Sequence, residues 1–413
     1  MKALFWVERL ESHQMRLIQH ITRDSGQEKL GRGVMALLLA FLSSVALAAP
    51  DEEVLGKSRG YPVCPDAKGI YSPEWCRVGL FSHYADVYPS RVVKKSDSPR
   101  LLSRAAQEPA LGMDKFLAEN RNTGLLVMRG DTILAERYQY QRNAGHRFAS
   151  MSMAKTVVGM LVGIALAEKK ITSIDDPAEK YVPELKGHPY GETPIRHLLT
   201  MTSGVKFWEA YNGYDDVTKL ATAILYQAGP GGAAAVLPYR ERVAPPGQRW
   251  SYASSETFVL ALVLRGATGE SLSDYTTRKL WQPMGAESDA AWNIDPAGNE
   301  LGYCCLSATL RDWARLGLLL ADGGARDGRQ VIPADWVKAA TSSQAPYPGY
   351  GYQTWVSMQE DRFSLRGNSG QSVSVHPATR TVVVHTGVYR MSSNAVAAVH
   401  DKFFDGVLKS LGN

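Results

Sequence analysis

The stretch that decides the fold is FASMSMAK, residues 148–155, followed by an apolar run over residues 156–167. It predicts a buried helix whose first turn carries Ser152 and, three residues later, Lys155. Residues three apart share one face of a helix, so the hydroxyl and the amine are expected to touch. Burial among apolar side chains lowers the pKa of a lysine and lets it accept a proton. This stretch therefore predicts a serine nucleophile with a lysine base.

The same spacing occurs a second time, at Ser203 and Lys206. A Thr-Pro pair at residues 193–194 predicts a helix start, and Gly204 lies where the C-terminal cap of that helix belongs. The glycine would break the turn that joins this serine to its lysine. A four-residue pattern also occurs in ordinary helix starts and loops, so the surrounding sequence must distinguish the two quartets. It favours Ser152 as the nucleophile.

The composition of the 413-residue chain is that of an ordinary globular protein. Hydrophobic residues make up 45%, charged residues 21%, and the formal net charge is +5. This length allows one large domain or two lobes with a sizeable core. No cluster of lysine and arginine is present, so nucleic acid is not an expected partner. No Cys/His cluster has zinc spacing, and neither a metal nor another cofactor is expected.

Residues 1–48 are predicted to be a leader. Its apolar part, residues 35–46, is about a dozen residues long and too short to span a bilayer comfortably. Ala46 and Ala48 fit the small-residue cleavage pattern, so we expect cleavage after Ala48, a periplasmic or secreted protein and no stable membrane anchor. A cytoplasmic protein with an apolar N-terminal helix is the alternative. The long mixed-charge start is explained if translation begins at a later methionine.

Four cysteines follow the leader. Cys64 and Cys76 bracket a Pro/Gly/Tyr-rich segment that gains from a covalent link, so we predict a disulfide between them, with two buried thiols as the alternative. Cys304 and Cys305 are interpreted as core thiols near a turn. The region around the first pair, residues 49–107, is expected to be an irregular extension.

Periodicity predicts an α+β fold. An antiparallel sheet from the N- and C-terminal parts, flanked by helices, is expected over residues 108–180 and 300–413, with a mainly helical lobe inserted at residues 181–299. The elements behind this prediction are helices at 112–120, 257–266, 309–321 and 393–411, a hairpin at 124–138, and strands at 362–365, 371–375 and 379–385.

A second candidate stretch is PGQRWSYAS, residues 246–254, which precedes an apolar helix. Tyr252 would lie on the loop at the helix start. A tyrosine near a lysine could be held partly as phenolate and carry the proton between Ser152 and the leaving group. Ser254 could bond to Lys155 or to the leaving group. On its own, Tyr-x-Ser is more typical of a half-buried loop aromatic.

A third candidate stretch is LRGNSGQ, residues 365–371, at a strand. Its two glycines would let a ligand approach the backbone edge. Acyl transfer needs two donors aimed at the developing oxyanion, and the backbone N–H groups of Ser152 and Asn368 could supply them. The alternative interpretation is a hairpin softened by glycine.

Together, Ser152-x-x-Lys155, Tyr252-x-Ser254 and residues 365–367 resemble, in order and spacing, the motifs of one serine hydrolase family. It includes class C β-lactamases, penicillin-recognising DD-peptidases and related esterases. The resemblance covers residues 110–410. It implies the β-lactamase/transpeptidase-like fold, Ser152 as nucleophile, and Lys155 with Tyr252 as the general acid/base pair.

Within that family the chain is most similar to the 6-aminohexanoate-dimer hydrolases, which are nylon-oligomer amidases. The similarity lies in WEAY, residues 208–211, and in residues 367–371. It implies that Tyr211 is a donor on the substrate side, that Asn368 supplies the second oxyanion N–H, and that Ser254 and Gly367 line the substrate site.

Two departures from the β-lactamase pattern narrow the range of activities that we expect. Residues 365–367 are Leu-Arg-Gly where β-lactamases carry Lys-Thr-Gly, and Ser254 replaces an asparagine. We therefore predict a hydrolase of small-molecule amides or esters. A β-lactamase or DD-peptidase is the first alternative, and a non-catalytic periplasmic binding protein is the second. The natural substrate and the oligomeric state stay open at this level.

Overall fold

The computed structural model describes residues 48–344, 346–359, 361–390 and 394–412. The predicted leader lies outside the described residues except for Ala48. Among the helices in these ranges, none combines the length and the apolar character needed to cross a membrane.

Strands from both ends of the chain form one seven-stranded sheet, in the order β10-β11-β12-β13-β3-β4-β2. All its pairings are antiparallel except the short parallel pair of β2 and β4. The strands of this sheet are β2 (Ser103–Arg104), β3 (Asn122–Arg129), β4 (Thr132–Tyr138), β10 (Trp355–Val356), β11 (Phe363–Gly367), β12 (Gln371–His376) and β13 (Thr381–Gly387).

The alternation of side chains along β3 and β13 gives this sheet two buried faces. Leu126 and Val382 lie in the large core on one face. Leu125 and Val383 lie on the other face, in a smaller cluster with Phe404 of the C-terminal helix. Helices therefore cover both faces, as expected for an antiparallel sheet with flanking helices.

A second sheet, in the order β1-β6-β7-β5, carries the chain into the Ser152 turn. Its last strand pairs Phe148 with Ala308 and Ala149 with Ser307. Its strands are β1 (Ser90–Val93), β5 (Phe148–Ala149), β6 (Ala290–Asn293) and β7 (Leu306–Ala308), and a separate hairpin consists of β8 (Ala325–Arg326) and β9 (Arg329–Gln330).

The central helix, α4, is apolar around its whole circumference and is buried accordingly. Gly163 allows it to pack tightly, because a Cβ atom there would lie 2.2 Å from the Trp336 ring. The helices are α1 (Glu74–Phe81), α2 (Tyr84–Val87), α3 (Met113–Glu119), α4 (Ala154–Ala167), α5 (Pro189–Glu192), α6 (Ile195–Leu199), α7 (Asp216–Ile224), α8 (Ser254–Thr268), α9 (Leu272–Thr276), α10 (Gln282–Met284), α11 (Leu310–Ala321), α12 (Ala334–Ala340) and α13 (Asn394–Ser410).

The N-terminal extension, residues 49–107, is more regular than expected, since it contains α1, α2, β1 and β2. Buried Arg77 of α1 ties it to the C-terminal part by donating to the carbonyls of Tyr389 and Arg390, each at 3.1 Å. Cys64 and Cys76 are joined by a disulfide, with Cα atoms 5.2 Å apart. The division into lobes at residues 181 and 299 stays a prediction.

The interpretation of Cys304 and Cys305 as free core thiols is wrong, because these adjacent residues form a second disulfide. Both are buried, and Cys305 has a positive φ of 70°. Spacing along the sequence does not reveal such a bond between neighbours. It requires a local backbone conformation that a pattern of residue types does not specify.

Candidate active site

Ser152 lies in a 3₁₀ turn, Met151–Met153, that leads directly into α4. Strand β7 fixes the residue before this turn by two hydrogen bonds. Ser150 N–H donates to the Leu306 carbonyl at 2.9 Å, and Leu306 N–H donates to the Ser150 hydroxyl at 3.1 Å. Met151, just before the serine, has a positive φ of 45°. Such a conformation persists only where the surrounding structure enforces it, and it aims Ser152 at the cavity beside the sheet.

Lys155 is buried, and its amine has three partners. Nζ lies 3.0 Å from Ser152 Oγ, 3.0 Å from Ser254 Oγ and 3.1 Å from the Tyr303 carbonyl oxygen. Burial lowers the pKa of Lys155 to about 8, although the charge of Glu209 acts in the opposite direction. The lysine therefore loses its proton far more readily than one in water.

The hydrogen-bond directions at this amine decide what Ser152 can do. The Tyr303 carbonyl can only accept, and Ser254, whose hydroxyl donates to Glu209 at 2.8 Å, must accept from Lys155 as well. These two bonds use both N–H groups of a neutral amine, so its lone pair is left for the Ser152 hydroxyl. The arrangement orients the lysine as a base toward the serine.

Tyr252 approaches the same serine from the loop before α8 and makes a side-chain hydrogen bond with Ser152. Its ring centroid lies 4.9 Å from Lys155 Nζ, and the ring stacks on Trp355 at 5.7 Å. The expected partial phenolate is wrong. Burial raises the pKa of Tyr252, with a further contribution from the charge of Glu209. At neutral pH the residue is a phenol and can donate a proton.

Sequence reasoning missed Glu209, although it lies inside the quoted WEAY stretch. Its carboxylate accepts from the backbone N–H of Ser254 at 2.7 Å, from the Ser254 hydroxyl, and from the Tyr211 hydroxyl. It thereby caps the first turn of α8 and fixes the orientation of Ser254 toward Lys155. An acidic residue two positions from a candidate substrate tyrosine was the available signal.

Tyr211 lines the cavity at Ser152, but its hydroxyl proton is directed at Glu209. Its backbone has a positive φ of 55° and is held by Asp215, which accepts the N–H groups of both Ala210 and Tyr211. A role as donor to a substrate amide would require the hydroxyl to rotate away from Glu209. That role stays a prediction.

Gly367 lets β11 come close enough for Asn368 to lie beside Ser152. A Cβ atom on Gly367 would stand 2.4 Å from the Ser150 carbonyl oxygen, which no side chain tolerates. Ser152, Gly367 and Asn368 line one cleft of about 300 Å³. This proximity is what an oxyanion hole from the N–H groups of Ser152 and Asn368 requires, and that assignment stays a prediction.

Arg366 lines the same cleft, and its guanidinium is already paired. It donates to both carboxylate oxygens of Asp401, at 2.9 and 3.1 Å, and to the Ser364 hydroxyl at 2.7 Å. Both bonds to Asp401 come from the single nitrogen Nη2, and this ion pair neutralises part of the charge that a ligand carboxylate would otherwise meet. Across the described ranges, no group of His, Cys, Asp and Glu residues is arranged to hold a metal ion.

An antiparallel sheet flanked by helices, with a Ser-x-x-Lys turn at the start of a buried helix, defines the class of β-lactamase/transpeptidase-like folds. The beta-lactamase family model matches residues 113–398. The chain belongs to this family, which confirms the resemblance and the α+β fold predicted from the motifs.

Two curated relatives are similar to this chain. A 6-aminohexanoate-dimer hydrolase of Paenarthrobacter ureafaciens is 28% identical over 335 residues, covering 74% of this chain and 83% of the relative. Penicillin-binding protein 4* of Bacillus subtilis (strain 168) is 26% identical over 166 residues, covering 39% of this chain and 33% of the relative.

Among solved structures, a candidate 6-aminohexanoate-dimer hydrolase from Bacillus anthracis has the same fold. It superposes with a TM-score of 0.75 at 23% identity, covering 84% of this chain and 97% of its own.

Proposed function

We propose that this chain is a serine hydrolase of linear amides that works through an acyl-enzyme on Ser152. The observation that carries the proposal is the amine of Lys155, 3.0 Å from Ser152 Oγ, with its other two hydrogen bonds already committed to Ser254 and Tyr303. A binding protein has no use for a buried lysine amine that is held against a serine hydroxyl in this way.

Acylation then follows in balanced steps. Ser152 Oγ attacks the amide carbon while its proton passes to Lys155, and the backbone N–H groups of Ser152 and Asn368 receive the developing oxyanion. The Tyr252 phenol gives its proton to the leaving nitrogen and is reprotonated from Lys155. The C–N bond breaks and the amine departs.

Deacylation repeats this sequence with water as the nucleophile. Lys155, neutral again, takes a proton from the attacking water, and the C–O bond to Ser152 breaks as the serine recovers its proton. The products are a carboxylic acid and an amine, and the enzyme returns to its starting state. The same residues would cleave an ester, which makes carboxylic esters a second substrate class for this site.

Linear amides are favoured over β-lactams by the paired state of Arg366 and by Ser254, whose bonds to Lys155 and Glu209 leave it inside the catalytic network. The relative from Paenarthrobacter ureafaciens, named as a 6-aminohexanoate-dimer hydrolase, supports a linear amide as substrate.

We also propose an exported protein. The cleavage pattern before Ala49 and the two disulfides of the described residues fit an oxidising compartment. Mass measurement of the protein from a periplasmic extract would show a mature chain that begins at Ala49. A full-length chain confined to the cytoplasm would contradict export.

The activity is tested by intact-mass measurement of the protein incubated with 6-aminohexanoate dimer, p-nitrophenyl esters and penicillins. We expect an acyl adduct from the ester, absent in Ser152→Ala, that turns over within the assay, and release of an amine from a linear amide. Adduct formation in Ser152→Ala, or a stable adduct from penicillin alone, would overturn the proposal.

A further inference from the structure

A second cavity opens at Ser152 on the side away from Arg366. It encloses about 60 Å³ and shares Ser152, Tyr211 and Asn368 with the larger cleft. Apart from Ser254, the rest of its wall is aromatic, aliphatic or sulfur: it includes Tyr71, Tyr84, Met151, Val217, Tyr303 and the Cys304–Cys305 disulfide. Among the residues that the structure describes, no Asp, Glu, Lys or Arg side chain lines this cavity.

The polar atoms of this wall are largely occupied. The Tyr71 hydroxyl shares a hydrogen bond of 2.7 Å with Thr218, and the Tyr226 hydroxyl donates to the Lys68 carbonyl at 2.7 Å. Glu209, beside the cavity, accepts from Ser254 and Tyr211. The Tyr303 hydroxyl is buried without a partner among the described residues. Glu209 does not line the cavity and its carboxylate already accepts three hydrogen bonds, so an ammonium group entering the cavity would lose its water without gaining a direct ion pair.

The position of Tyr252 indicates which cavity receives the leaving amine of a substrate and which receives its acyl chain. It lines the larger cleft and is absent from the wall of the smaller one. The leaving nitrogen must lie near the phenol that protonates it, so the leaving amine extends into the larger cleft toward Arg366 and Asp401. The other substituent of the carbonyl, the acyl chain, is then directed into the smaller cavity.

We infer that this smaller cavity is the acyl-binding subsite and that it selects short, uncharged, apolar acyl groups. The inference rests on the proposed function. The inference also assigns a role to residues that precede residue 113, where the match to the family model begins. Ile70, Tyr71 and Tyr84 lie in the wall, whereas the family match begins at residue 113. The acyl half of 6-aminohexanoate dimer carries an ammonium group. The substrate preference of this chain would therefore differ from that of the relative named for this dimer.

The test compares p-nitrophenyl esters that differ only in the acyl group: acetyl, butanoyl and 3-aminopropanoyl. Butanoyl and 3-aminopropanoyl have the same number of heavy atoms, so their comparison isolates the charge. We expect kcat/KM for butanoyl to exceed that for acetyl by about 10-fold or more. It should exceed that for 3-aminopropanoyl by about 100-fold, because an ammonium would be desolvated without a partner.

A pair of variants on α7 localises the effect. Ala221 lines the smaller cavity and is half-buried, whereas its neighbour Thr222 is exposed and does not line it. Ala221→Leu should fill the cavity and reduce the preference for butanoyl over acetyl to about 2-fold or less. Thr222→Leu, which places the same leucine side chain on this helix but outside the cavity, should keep the wild-type preference.

The outcomes separate this inference from the proposed function. No ester hydrolysis, or hydrolysis that persists in Ser152→Ala, would remove the proposed function and the inference with it. Hydrolysis that needs Ser152 but favours acetyl, or favours 3-aminopropanoyl over butanoyl, would overturn the inference alone. A preference for 3-aminopropanoyl would show that the ammonium is held at this wall, by the tyrosine rings or by the Glu209 carboxylate beside them. The wild-type comparison decides this even if Ala221→Leu fails to fold.

Discussion

The chain contains two Ser-x-x-Lys quartets, and the structure uses them in opposite ways. Ser152 and Lys155 lie in consecutive turns of a buried helical segment, with Oγ and Nζ 3.0 Å apart. Ser203 lies in a loop beyond α6, is fully buried, and donates its hydroxyl to Glu256 at 2.6 Å. Lys206 points into solvent and pairs with Glu241 at 2.7 Å.

The difference shows that the spacing matters only on a helix. Gly204 has a positive φ of 74°, which turns the chain between Ser203 and Lys206. Gly204 was expected to be the C-terminal cap of α6. This expectation is wrong, because the helix already ends at Leu199. The interpretation of Ser203 as structural nevertheless agrees with the geometry, since its hydroxyl and its lysine serve different partners.

Replacing each serine by alanine should give the largest contrast. Ser152→Ala removes the nucleophile and should lower kcat/KM for a p-nitrophenyl ester by about 10⁴-fold or more. Ser203→Ala should keep activity within a few-fold of wild type and cost about 1–3 kcal/mol in unfolding free energy, because Val205 N–H and Glu256 lose a buried partner. Steady-state kinetics and urea unfolding measure both. Equal losses of activity in the two variants would contradict the assignment.

The two lysines should differ almost as strongly. Lys155→Met keeps the apolar bulk but removes the base, and should reduce kcat by about 10²–10⁴-fold. Lys206→Met removes an exposed ion pair and should leave the activity unchanged and the unfolding free energy within about 0.5 kcal/mol. Kinetics on a common ester, with circular dichroism to verify folding, compares them. Retained activity in Lys155→Met would exclude the lysine as the base.

The pH dependence sharpens the same comparison. Because burial lowers the pKa of Lys155 to about 8, the amine is mostly protonated and inactive as a base below that pH. The rate of acylation should rise by about tenfold per pH unit up to about pH 8 and then level off. An uncharged ester supplies the measurement. A rate that is flat between pH 6 and pH 9, after correction for hydroxide, would show that Lys155 is not the titrating base.

Glu256, the partner of Ser203, is expected to affect stability rather than activity. Burial raises the pKa of Glu256 to about 8, so the folded protein keeps a proton there that the unfolded chain releases above about pH 4.5. The unfolding free energy should therefore decline between about pH 5 and pH 8 because of this group, by at most about 1.4 kcal/mol per pH unit.

Glu256→Gln supplies a neutral carbonyl that can accept both bonds from Ser203, so activity at pH 7 should stay within about twofold of wild type. Its stability relative to wild type should increase from pH 5 to pH 8 and change little beyond. Urea unfolding at pH 5, 6.5 and 8.5 measures this difference. A constant difference across that range would show that Glu256 is ionised in the folded protein.

The long strands of the large sheet followed from local patterns, but the residues at which its elements begin and end did not. The strand expected at 379–385 begins at Thr381, because residues 377–379 form a 3₁₀ turn and Arg380 adopts a positive φ of 54°. Helix α8 begins at Ser254, three residues before the expected start, because the Glu209 carboxylate caps it from another part of the chain. A local sequence pattern cannot indicate a capping residue that lies far away along the chain.

The sequence by itself determined the apolar helix after Ser152, the strands at both ends of the chain and the order of the three motifs, because each depends on neighbours within a few residues. Only the tertiary structure decided the protonation of Tyr252, the place of Glu209 in the network around Lys155, and the bond between Cys304 and Cys305. Charge and hydrogen bonding in a buried site depend on which distant groups share a low-dielectric space. Folding alone brings those groups together.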